Sequence, residues 1–203
     1  MALLTTAEAK VYLPPLSGTT EDTTIDAIVK RASSMIADRL GWFPATTGAD
    51  ASIESTTYTI RTYLGPLSAR VYGRRLRLPV RPVTSVTSIH DDPDWTFATG
   101  DLVASTAYTV LGEDGEIVLN PSGGHVWSVG EGSIKIVCVA GYVTIPEWAR
   151  QACGELTHHL WDLRHVQGKR SLSQNGVSVG LRVETIPDAV DEILQPYKIL
   201  GDP

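Results

Sequence analysis

The residues best spaced for chemistry are His158, Asp162 and His165, which fall at i, i+4 and i+7 and so share one face of a helix. A metal-dependent hydrolase would use such a set to hold a divalent cation and activate a water. There is no fourth ligand nearby and no HExxH pattern, so solvated side chains on a helix surface are the better account. His159 lies nearer the apolar positions and reads as a packed or interface histidine. Cys153 has no basic neighbour to lower its pKa, and no serine occupies a GxSxG turn, so nucleophilic catalysis finds no support. Asp91-Asp92-Pro93-Asp94 could offer oxygens to Ca²⁺, but the glycine of a calcium loop is missing and a solvated turn is expected. Gly123-Gly124-His125 and Gly130-Glu131-Gly132 lack a Lys-Ser/Thr pair and a following helix, so they read as turns rather than phosphate cradles. No catalytic, metal-binding or cofactor-binding residue is assigned, no cofactor is expected, and an enzyme is not expected.

The elements that would position these residues centre on Ile134 to Arg164. Ile134 to Ala140 is the most apolar run in the chain and suits a strand covered on both faces. Gly141 breaks it, and a helix opens at Pro146, with Thr144 and Glu147 at capping-box spacing. Ile145, Trp148, Ala149, Ala152, Leu156, Leu160 and Leu163 then form an apolar stripe. A buried strand hands over to a core helix.

Upstream, Leu4, Thr5 and Glu8 mark a short helix from about Thr6 to Leu13, stopped by Pro14 and Pro15. Ile25, Ile28, Val29, Ala32, Met35, Ile36 and Leu40 predict an amphipathic helix ending at Gly41. Ala45 to Thr56 reads as a loop or domain boundary. Short β-like runs follow: Thr57 to Leu64, Arg70 to Leu78, Val83 to His90, Tyr108 to Leu111 and Glu116 to Leu119, with turn signals at hairpin-meander spacing. Uneven spacing of Val83, Val86 and Ile89 suggests a bulge or an edge. Gln167 to Thr185 reads as a mobile loop, and Ile186-Pro187-Asp188 starts a last helix that Pro196 ends or kinks. The expected class is α+β: a small α-helical bundle of three to four helices, residues 1–56 and 141–203, with a β-rich insertion, 57–140, between the second and third helices.

A chain of 203 residues suits one domain or a small domain with an insertion. The net charge of -6 argues against broad nucleic-acid or anionic-membrane binding, and no apolar segment reaches the ~18 residues of a membrane span. The N-terminus lacks a basic n-region, so export by a signal peptide is not expected. Cys138 and Cys153 read as buried thiols of a protein in a reducing compartment. Charge is unevenly spread: Thr57 to His90 holds six arginines and no carboxylate, whereas Asp91 to Ala140 holds eight carboxylates and Lys135. Cross-strand pairs could neutralise that split within one sheet, or part of it could face a neighbouring subunit.

In this order of elements the sequence resembles the head-tail connector (adaptor) proteins of tailed bacteriophages. The resemblance is carried by the Leu4-Thr5 to Leu13 segment, the Ile25 to Gly41 helix and Leu76-Arg77-Leu78-Pro79-Val80-Arg81-Pro82-Val83-Thr84-Ser85-Val86. The Ala140-Gly141-Tyr142 to Ile145-Pro146-Glu147 junction and Pro196-Tyr197 complete it. It implies a structural protein of the virion neck, made in the host cytoplasm, that forms a ring of about twelve subunits beneath the portal. The portal and a downstream head-closure or tail protein would be its partners, and DNA would pass through the lumen without specific binding. No membrane is involved. The alternatives are another neck component, a head-closure or tail-terminator protein, and a small metal-dependent hydrolase. Tyr197, Ile199 and Leu200, apolar beyond the break at Pro196, are the expected portal contacts; Arg75, Arg77 and Arg81 are the expected subunit-interface residues.

Overall fold

The computed structural model describes residues 2–15, 18–42, 44–45, 51–63, 68–128, 130–164, 171–174, 177–180 and 186–199. Two units can be separated, Gly41–Thr144 with Ile199–Pro203, and Met1–Leu40 with Ile145–Lys198.

The first of these carries a seven-stranded sheet. Its strands are β1 (Thr56–Thr62), β2 (Ser68–Tyr72), β3 (Arg75–Arg77), β4 (Val83–Asp91), β5 (Tyr108–Leu111), β6 (Glu116–Leu119) and β7 (Ile134–Ala140). They lie in the order β4-β7-β1-β2-β3-β6-β5, antiparallel except for the parallel β1–β2 pair. Period-two alternation selects the inner face. Tyr58 and Ile60 lie opposite Cys138 and Ile136, and Ile89 also meets Ile136, all of them buried. Leu76, Ile117 and Leu119 continue that core, each fully buried aliphatic side chain contributing about 1.5–3 kcal/mol. The edge strands β4 and β5 approach each other at one end, where Val83 N–H donates to the Gly112 carbonyl at 2.8 Å. A Cβ at position 112 would lie 2.3 Å from the Val83 oxygen, so only glycine permits that approach. As the irregular spacing suggested, β4 is an edge strand with register shifts between Val83 and Ser85 and between Val86 and Ser88.

The other unit holds α1 (Thr6–Ala9), α2 (Asp22–Leu40), α3 (Glu147–Leu163) and α4 (Asp188–Leu194), the last running into a 3-10 turn at Gln195–Tyr197. Ile25, Val29, Ala32, Ile36 and Leu40 form the buried stripe of α2, facing Ala149, Ala152, Cys153 and Leu156 of α3. Ser33 is buried with its polar needs met: its hydroxyl donates to the Val29 carbonyl at 2.7 Å and accepts the Leu3 N–H at 2.9 Å. Gly154 lets the Tyr12 ring sit directly on α3, since a Cβ there would come within 2.5 Å of the ring. Strands β8 (Ser171–Gln174) and β9 (Val177–Gly180) pair as an antiparallel hairpin, inside the segment expected to be a loop.

The expected fold class is corrected. The molecule is a β-rich fold built on a seven-stranded mixed sheet, not a helical bundle with a β insertion. Of the four α-helices found among the described residues, only α2 and α3 exceed seven residues. The sheet has its own buried core and nearly closes upon itself, which an appended insertion would not need to do. Four local expectations change with it. The run from Arg70 to Leu78 turns at Gly73 and Arg74 into two strands, α1 stops at Ala9, and the N-cap of α3 is Pro146, without the Thr144 side-chain bond. The strand β7 buries one face fully and the other only in part.

Candidate functional site

Each of the sequence's chemical candidates meets a specific environment. His158 Nε2 lies 3.4 Å from Asp162 Oδ2 on the exposed side of α3, while His165 lies outside the described residues. Among the described residues no group of three or more potential ligands is arranged to hold a metal. Burial pushes the Cys138 thiol up to about 12 and also raises that of Cys153, which keeps both protonated at neutral pH.

The expected portal contacts sit at the end of the helical segment. Pro196 in the 3-10 turn swings Tyr197 onto Trp148 of α3, with parallel rings 4.0 Å apart. Beside it, Asp191 of α4 accepts both Arg39 Nε at 2.6 Å and Nη2 at 2.9 Å, and also Lys198 Nζ at 3.2 Å. That Arg39 fork is the main reason the Asp191 carboxyl is held down to about 2. Ile199 is half-buried and Leu200 lies outside the described residues. Tyr197 is thus partly occupied within its own chain while keeping an exposed edge.

The expected interface arginines occupy the β2–β3 hairpin and the turn after it. Register places Arg70 opposite Arg77 and Tyr72 opposite Arg75, all on the outer face, with Leu76 turned inward. Arg75 Nη1 bonds Glu116 Oε2 of β6 at 2.9 Å, so one basic residue is neutralised inside the sheet. Arg81 is half-buried. Like charges directly opposite, as at Arg70 and Arg77, oppose pairing, and across β6 the register sets one carboxylate, Glu116, against β3. A second like-charge pair, Arg61 and Lys135 across β1 and β7, is bridged by the Phe97 ring, with Arg61 Cζ 4.9 Å and Lys135 Nζ 4.6 Å from its centroid.

Phe97 reaches that position through the turn at Asp91 to Asp94. Asp92 is buried, and its carboxylate accepts N–H groups of Asp94, Thr96 and Phe97 together with the Thr96 hydroxyl, at 2.6–2.8 Å. The Phe97 N–H leads the causes that lower its carboxyl to about 2. Trp95 and Phe97 both take positive φ, 63° and 50°, which the Asp92 bonds stabilise. The carboxylate cluster is therefore a structural turn rather than a solvated one.

A pocket of about 340 Å³ opens beside this turn, lined by Asp91, Asp101, Leu102, Val103, Ala107 and His125 among others. Asp91 Oδ2 accepts His125 Nε2 at 2.9 Å and the Ser128 N–H at 3.1 Å, whereas its Oδ1 is buried without a hydrogen-bond partner. A buried carboxylate oxygen left unpaired costs about 1–3 kcal/mol or more. Trp127 packs on one of the lining residues, its ring edge-on to His125 at 5.4 Å and its Nε1 donating to the Arg74 carbonyl at 3.2 Å. Sequence reading missed this pocket because Asp91 and His125 stand 34 positions apart, with no spacing rule to link them.

A family model described as Head completion protein matches residues 2–200. No curated protein matches the chain. Among solved structures, the fold is similar to a chain in the neck of an empty GTA particle computed with C6 symmetry: TM-score 0.60, 16% identity, 99% of this chain and 92% of that chain. It is also similar to a chain in the neck of a native GTA particle computed with C12 symmetry: TM-score 0.57, 15% identity, 99% of this chain and 91% of that chain.

Proposed function

The chain belongs to the head completion protein family, and from that premise we propose that it is a structural component of the neck of a tailed phage or phage-like particle. The family match over residues 2–200 carries this reading. The likeness in fold to chains from GTA particle necks supports it. The family's description names an assembly step rather than a reaction, which favours a structural role over catalysis. It also favours the broader reading, a component that completes the head, over the narrower one of an adaptor seated directly on the portal.

The adaptor reading is a refinement of the same proposal. In it, copies form a ring, about twelve to match a portal, and contact the portal on one side and a head-closure or tail protein on the other. The C6 and C12 symmetries of the similar necks support a ring. Arg75, Arg77 and Arg81 lie in the same sheet unit and would contribute to the ring contacts, and Tyr197 with Ile199 and Leu200 would meet the portal. Electron microscopy of purified chain mixed with portal-bearing, DNA-filled heads tests this. A ring of density at the portal vertex is expected; density only on isolated tails would move the chain to the tail side of the neck.

A further inference from the structure

We propose that the Asp91–Asp101–His125 pocket receives an arginine from the outer face of the β2–β3 hairpin of a second copy of this chain. The inference rests on the ring reading above and names the contact that would build it. Two features of the pocket ask for a cation. The Asp91 side chain is 2% exposed with one carboxylate oxygen lacking a partner, and Asp101 adds a second carboxylate at the rim. Leu102, Val103 and Ala107 supply an apolar wall along which the stem of a long side chain can lie. A volume of about 340 Å³ stands at the small end of the ~300–1,000 Å³ range for ligand sites, which suits one side chain better than a cofactor. A guanidinium or ammonium would meet both carboxylates with hydrogen bonds as well as charge.

The donor is argued from the same sheet. Arg70, Arg75 and Arg77 share the outer hairpin face with Tyr72, which is 50% exposed, and Arg70 itself is exposed. Fork-shaped guanidinium groups match a carboxylate in two parallel hydrogen bonds, and an exposed tyrosine beside them is a common interface anchor. Pocket and hairpin are two different sets of residues, so a contact between copies is heterologous, as in the head-to-tail contacts of a rotational ring. Trp127 joins them rigidly, touching His125 with its ring and the Arg74 carbonyl with its Nε1.

The test uses full-length chain on portal-bearing heads, counting seated copies by electron microscopy. Leu102→Lys places a cation at the pocket mouth on a side chain that is 48% exposed, and Arg70→Glu reverses the hairpin; unchanged melting temperatures verify that both fold. Each is expected to lower ring occupancy roughly tenfold at a fixed concentration. The double variant carrying both changes is expected to recover part of the loss, because the lysine introduced at position 102 can meet the glutamate introduced at position 70 of the neighbouring copy. A separate readout adds one exposed cysteine per protein, the native Cys138 and Cys153 being buried: Tyr72→Cys mixed with Leu102→Cys should give a disulfide-linked dimer under oxidation, which neither gives alone. Wild-type chain seated as isolated copies would overturn the ring reading and this inference with it. A wild-type ring indifferent to Leu102→Lys and Arg70→Glu, with no mixed dimer, would overturn this inference alone.

Discussion

Asp92 shows how much of this surface depends on single carboxylates. Its carboxyl is lowered from the ordinary 3.8 to about 2, first by the Phe97 N–H and further by Thr96 and Asp94, against the opposing effect of burial. Asp191 is lowered to about 2 as well, chiefly by Arg39. The folded chain therefore binds fewer protons than the unfolded chain between those values. The stability these groups contribute is full above about pH 4 and is lost as pH falls through about 2. Urea midpoints measured from pH 5 to pH 2 should fall in the wild type and fall less in Asp92→Asn, which starts lower at pH 5. An equal fall in both proteins would remove Asp92 from the account. The aspartates are legible in the sequence, but composition alone predicts a solvated turn. What it lacks is the Asx geometry, in which an Asp before a proline gathers the N–H groups that follow it. Alternation with Leu76 is enough to turn Arg75 and Arg77 to the outer face of β3, while the Arg75–Glu116 bond depends on a strand pairing that no local pattern specifies.

At the level of elements, local periodicity was informative and pairing was not. The bounds of β5, β6 and β7 follow their apolar runs, and the α2 and α3 stripes follow three-and-four spacing. The parallel β1–β2 pair and the near meeting of β4 with β5 depend on tertiary pairing that no local pattern encodes, so turn spacing alone predicts a meander hung on helices. Some expectations, among them those on His165 and Leu200, lie outside the described residues. Mid-helix Gly154 carried a signal that helix periodicity ignores: it is a weak helix former kept where Tyr12 lies against the backbone. Gly154→Ala should destabilise the protein by about 1–3 kcal/mol through that clash. In a Tyr12→Ala background the same change should instead stabilise by about 0.5–1 kcal/mol, by helix propensity. Chemical denaturation of the four proteins measures both, and a destabilising Gly154→Ala in both backgrounds would show that something other than Tyr12 holds the position closed.

For the whole molecule, the separation of the six arginines in Thr57 to His90 from the eight carboxylates in Asp91 to Ala140 is the property that most bears on assembly. Part of it is neutralised internally, as at Arg75–Glu116, and in the ring reading another part faces the neighbouring copy. At about 1 M salt the Debye length falls to roughly 3 Å, so ring formation on heads should weaken while the melting temperature of free chain changes little. Assembly unaffected by salt would locate the contact among apolar residues. Removing residues 197–203 separates a second question. It deletes the Tyr197 ring stacked on Trp148, a contact of about 0.5–1.5 kcal/mol, so a folded but slightly less stable chain is expected. Portal binding should then be lost; undiminished binding would assign Tyr197 to its own helices only. The most direct measurement of the neck assignment begins with DNA-filled heads assembled without this chain. They are incubated with tails, with or without purified protein, and tailed particles are counted by electron microscopy. A neck component that completes the head should make joining depend on the added chain, with tails seated through density that the chain supplies. Equal numbers of tailed particles in its absence would contradict the assignment.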